Sequence, residues 1–110
     1  MLTLWLHAFL HVVFLHVESY SSYVAGQAEH ERVFRELGAR LKVMRRKRGH
    51  SQEDMLSFGF STRHWQQIEA GRPITLTTLL RICDVFEVTP EKLLRGLYAV
   101  PAKSPAGPSA

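Results

Sequence analysis

Four residues with short oxygen-bearing side chains constrain this chain most. Ser51, Ser61, Thr75 and Thr89 each stand just before a short segment of apolar residues. Such side chains accept a hydrogen bond from a first-turn N–H and so start helices. Their intervals of 10, 14 and 14 residues leave room for a helix of two or three turns plus a connection. Gly49, Gly59 and Gly71 stand where helices should end, and Pro90 follows Thr89 at a first helical position. Asp54 lies three residues after Ser51 in a capping-box arrangement, and with Glu53 it suits the positive end of a helix. No strand is required.

The apolar residues fall into line with these starts. The first helix, read from about Ala28 to Arg48, carries Phe34, Leu37, Leu41 and Met44 on one stripe. Met55, Leu56 and Phe58 supply the second helix, and Trp65 and Ile68, with Phe60, supply the third. The fourth carries Leu76, Leu79, Leu80, Ile82, Cys83, Val85 and Phe86 and is apolar around most of its circumference, so it is expected at the centre. Leu93, Leu94 and Leu97 close the bundle. Glu87 ends the fourth helix where glycine would be easier. Cys83 is the single cysteine, which excludes an internal disulfide and a cysteine-rich zinc site and suits a core residue.

The flanks differ in composition. Met1 to Tyr23 holds one charged residue, Glu18, and is read as an apolar extension outside the domain. One reading makes it a product of an upstream start, the working protein beginning near Val24. Leu2 to Val17 lacks the basic start and small-residue end of a secretory signal. It is also shorter than a span of ~20 apolar residues and is interrupted by His7, His11 and His16, so a membrane anchor is not expected. His7 and His11 sit one turn apart, but two ligands do not make a site, and no metal is expected. Residues 24–97 form the expected domain. Tyr98 to Ala110, rich in Pro, Ala, Ser and Gly, is expected to be disordered.

Charge is concentrated between Glu29 and Gly49. Eight basic residues there face three acids, an excess of +5 against +4 for the whole chain. A basic run can be a solvated helix end that suits the macrodipole. It can equally attract an anionic partner.

Two short helices joined at FGF, Phe58 to Phe60, make a helix-turn-helix. Leu37, Leu41 and Arg45, the G-x-S-Q of Gly49 to Gln52, Ile68-Glu69-x-Gly71 and the TLTTLLRI of the fourth helix together resemble the Cro/C1-type family, which includes phage repressors. The likeness runs from about Leu37 to Leu94. It implies an all-α, compact five-helix lambda-repressor-like DNA-binding domain, cytoplasmic, acting on double-stranded DNA as a transcriptional regulator. In much of the family the stretch between the second and third caps is one residue longer, which leaves the angle between the two helices open.

The resemblance assigns base reading in the major groove to Thr62, Arg63 and Gln67, with Gln66 adjacent. Arginine can bond bidentately to guanine and glutamine to adenine. Gln52, Ser61, His64 and Arg72 are expected at the DNA backbone, with Arg46 and Lys47. Arg45 and Glu69 are expected to pair and tie the first helix to the third. Trp65 is expected in the core. A homodimer is expected from paired half-sites, its surface unassigned. An antitoxin-like or adaptor module with a toxin-like or other protein partner stays open, as does a membrane-anchored regulator. The chain shows no paired-carboxylate signature, no nucleophile spaced to a base and no phosphate loop. No enzymatic activity and no cofactor are expected.

Overall fold

In the computed structural model, which describes residues 2–99, every regular element is helical. They are α1 (Leu2–Lys47), a 3-10 helix (Glu53–Phe58), α2 (Thr62–Glu69), α3 (Leu76–Phe86) and α4 (Pro90–Leu94). The tail expected to be disordered lies outside the described residues from position 100 onward.

The first helix begins much earlier than the expected Ala28. No proline precedes Pro73, and within α1 only Gly26 and Gly38 weaken the helix, so nothing stops it between Leu2 and Lys47. The second helix is 3-10 rather than α. The resemblance would make this segment one residue short. Six residues at ~2.0 Å rise reach about 12 Å, where an α-helix would reach about 9 Å. The tighter winding covers more length per residue.

Each helix start has a local cause. The hydroxyls of Ser61, Thr75 and Thr89 accept from the N–H of His64, Thr78 and Lys92 at 3.1, 3.2 and 3.2 Å. The Ser51 hydroxyl accepts from the Asp54 N–H at 3.1 Å, and the Asp54 carboxylate accepts from the Ser51 N–H at 2.7 Å. Hydrogen bonding of the carboxylate by the Ser51 backbone N–H, and then by the Ser51 hydroxyl, holds the Asp54 carboxyl below its ordinary value. Glu87 does end α3 in the left-handed region, at φ 54°.

The chain divides into two units, residues 1–32 and 33–110. In the second, Leu37 and Leu41 of α1 join Met55, Phe60, Trp65, Ile68, Ile82, Phe86 and Leu93 in one buried core. Phe60 meets Trp65 edge-on at 5.3 Å, and Trp65 lies 6.2 Å from Phe86. Leu56 and Phe58 are exposed, unlike Met55. At three residues per turn, neighbours point about 120° apart and one residue per turn can face the core. Leu76 and Leu80 are exposed as well, so α3 buries the side that carries Thr78, Leu79, Ile82, Cys83 and Phe86. Phe34 is half-buried.

In the first unit the large apolar side chains lie in the open. Trp5 is 69% exposed and stacks on Phe9 at 5.9 Å. Among the described residues no helix is long and apolar enough to cross a membrane.

Candidate nucleic-acid interface

Helix α2 is short, and its two faces differ sharply. Trp65 and Ile68 point inward and are buried. Arg63, Gln66 and Gln67 are exposed, and Thr62 and His64 are half-buried. The turn before α2 depends on Gly59, at φ 88°, whose N–H donates to Leu56 O at 3.0 Å. A residue with a side chain is strained in that region. The Arg81 guanidinium donates to Gly59 O at 2.7 Å and lies 4.4 Å from the Phe60 ring centroid, fastening the turn to α3.

The C-terminal end of α2 is fixed to α1 by an ion pair. Arg45 Nε donates to Glu69 Oε2 at 2.7 Å and Arg45 Nη2 to Oε1 at 2.9 Å. Both side chains are nearly inaccessible, at 6% and 3% exposure. Arg45 Nη1 also donates to His50 O at 2.8 Å, so one guanidinium joins α1, the following turn and α2. Burial pushes the Glu69 carboxyl up, but the Arg45 hydrogen bonds and charge overrule it and the net displacement is downward. The buried Trp65 indole N–H has no acceptor at bonding geometry among the described residues, yet it assists in the same direction. The bond to Glu69 raises Arg45.

This pair extends outward. Gln52 Nε2 donates to Glu69 Oε1 at 3.4 Å, and Gln66 Nε2 donates to Gln52 Oε1 at 3.2 Å. A line of bonds therefore runs from the buried arginine to the exposed face of α2. Gln52, expected at phosphate, spends part of its amide on this line, and an amide with one N–H engaged keeps a second donor. Ser61 caps α2 through its hydroxyl. His64 sits 5.9 Å from the Phe60 ring. The Arg72 side chain is exposed, and its backbone N–H closes the end of α2 on Gln67 O at 3.0 Å.

The basic run separates into different roles. Arg48 donates to Val85 O at 3.3 Å and Phe86 O at 2.6 Å, satisfying carbonyls at the end of α3. Arg40 does the same for α4 through Leu93 O at 2.8 Å and Arg95 O at 2.9 Å. Arg45 is spent on Glu69. Arg46 and Lys47 remain exposed. Lys47 lines a groove with Val88 and Lys92 beside α4, whereas α2 approaches α1 at Gly38 and Arg45.

Gly38 is one of two glycines inside α1, and it sets the distance between α1 and α2. A Cβ there would stand 2.6 Å from the Ile68 and Glu69 carbonyl oxygens. Its place one helical turn from Leu41 and seven residues from Arg45 was the available hint. Among the described residues no cluster of three metal-ligating side chains occurs.

A family model described as a helix-turn-helix domain matches residues 36–95, more than half of the chain. No curated protein and no solved structure matches it.

Proposed function

Because the chain belongs to the helix-turn-helix domain family, a DNA-binding family, we propose that it is a sequence-specific transcriptional regulator of the Cro/C1 type, working in the cytoplasm. One observation carries this reading. The exposed side of α2 offers Arg63, Gln66 and Gln67, and its single carboxylate, Glu69, is buried against Arg45. A face of donors with no exposed acid suits base edges flanked by phosphate. Arg63 is assigned to a guanine, Gln67 to an adenine, and Thr62 to the adjoining edge. Gln66, oriented by Gln52, is assigned to a neighbouring position. The backbone N–H and hydroxyl of Ser61, the second donor of Gln52, His64 and the side chains of Arg72 and Arg46 serve phosphate. Lys47, beside α4, contributes least.

Selection of binding sites from genomic DNA tests this. Wild type is expected to return one motif, bound with a steep salt dependence. Arg63→Ala should lose about 1–3 kcal/mol of discrimination at one base position. Arg72→Ala should weaken all sequences alike and reduce the salt slope by about 1, and Lys47→Ala should change it less. No enriched sequence at low salt would overturn the proposal.

A protein-interaction module of the antitoxin or adaptor kind has one observation in its favour. Val43, Met44 and Val88 floor an open groove of about 680 Å³ rimmed by Lys47, Lys92 and Arg95. A tightly co-purifying acidic partner, with DNA binding absent, would favour that reading instead.

A further inference from the structure

Within the first unit six residues form an unbroken row. Leu6, Leu10, Val13, Val17, Tyr20 and Val24 follow one another at spacings of 4, 3, 4, 3 and 4 on α1. That is the alternation by which one helix presents a continuous seam to another. All six are exposed, from 42% at Val13 to 70% at Tyr20. The neighbouring row of Trp5, Phe9 and Val12 breaks at His16 and Ser19.

We propose that this row is a self-association seam, whose occupant is the same segment of a second copy of this chain. The pattern distinguishes a partner helix from a lipid surface. Up to Val17 the helix is apolar on most sides, which either would accept. Beyond it, polar residues enter at Ser19, Ser21 and Gln27, while Tyr20 and Val24 keep the row going. A lipid surface has no reason to select that register; a second helix does. The available area also fits a pair. A stable interface takes about 800 Å² from each partner. Six exposed seam residues supply much of it, and Phe9, Phe14 and Tyr23, which flank the row, are aromatic side chains that bury roughly 150–250 Å² each. Pairing would place two helix-turn-helix units in one particle and raise the effective concentration of the second for DNA. The seam itself does not depend on the DNA-binding proposal.

Sedimentation of the full chain across a concentration series tests the seam without DNA. Wild type is expected as a pair at micromolar concentration. Val13→Asp combined with Val17→Asp, on the row, is expected to give a monomer. Val12→Asp combined with Leu15→Asp, off the row, is expected to leave the pair intact. Circular dichroism melts should show the same core transition in both monomer and pair, which separates loss of pairing from loss of folding. A monomeric wild type would overturn the proposal. So would equal losses in the two double variants, an assembly larger than a pair, or wild type that floats with phosphatidylcholine–phosphatidylglycerol vesicles instead of pairing.

Discussion

Residues 1–32 and residues 33–99 use apolar side chains in opposite ways. In the second unit Leu41, Met55, Phe60, Trp65 and Ile82 are wholly withdrawn from water. In the first unit Leu4, Trp5, Phe14 and Val17 are more than half exposed. Both stretches are rich in leucine, valine and phenylalanine, so apolar content alone does not separate them. The difference lies in the breaks. Between Gly49 and Pro90 the chain is cut by caps and glycines into short helices that fold back on one another. Between Leu2 and Lys47 nothing cuts it. A lone helix has no inside, so its apolar residues can be buried only by something else.

The comparison can be broken from the buried side first. Removing the Glu69 carboxylate leaves the Arg45 charge nearly inaccessible and unpaired. Glu69→Ala is therefore expected to cost about 3–5 kcal/mol in urea denaturation. A loss below 1 kcal/mol would mean that water reaches Arg45.

Gly38→Ala comes next. Its Cβ would meet two carbonyl oxygens at 2.6 Å, and backbone cannot rotate aside as a side chain can. The expected cost is about 1–3 kcal/mol, as for other overpacked sites. Gly26→Ala, with open space around it and within the first unit, should not destabilise.

Acid sharpens the same contrast. The Glu69 carboxyl is displaced below its ordinary 4.5 in the folded chain. Its contribution is therefore complete above that value and is lost as pH falls beneath it. The core melting temperature should hold from neutral pH to about 5 and then drop. Glu69→Gln should flatten that drop, and an unchanged acid limb in Glu69→Gln would remove the pair as its cause.

The smallest effect is expected on the exposed side. Leu15→Ser, in the first unit and off the seam, should change core stability by less than about 0.5 kcal/mol. A larger change measured by the core melt would show that Leu15 is packed by the core after all.

Much of this arrangement was legible in the residues because its causes are local. Ser61, Thr75 and Thr89 bond to an N–H three residues on, and the inner faces of α1 and α2 follow from periodicity alone. Where the reading failed, the cause lay further away. Arg48 reads as one more charge in a basic run, but Val85 and Phe86 lie opposite it, and it caps α3. Arg40 is spent on carbonyls at Leu93 and Arg95. The exposure of Leu76 and Leu80 depends on which side of α3 meets a neighbour, which a nearly uniform apolar pattern cannot specify.

The sequence by itself determined an all-helical chain, the places where its later helices begin, and a face of α2 made of arginine and glutamines. Hydrogen bonds within four residues and one helical period are enough for that. Only the tertiary structure decided which arginines are spent on carbonyls or on Glu69 and which stay in solvent. It also decided how closely α2 lies on α1 at Gly38 and that the second helix winds as 3-10 rather than α. Those outcomes depend on groups brought together from distant parts of the chain, where packing distance outweighs local preference.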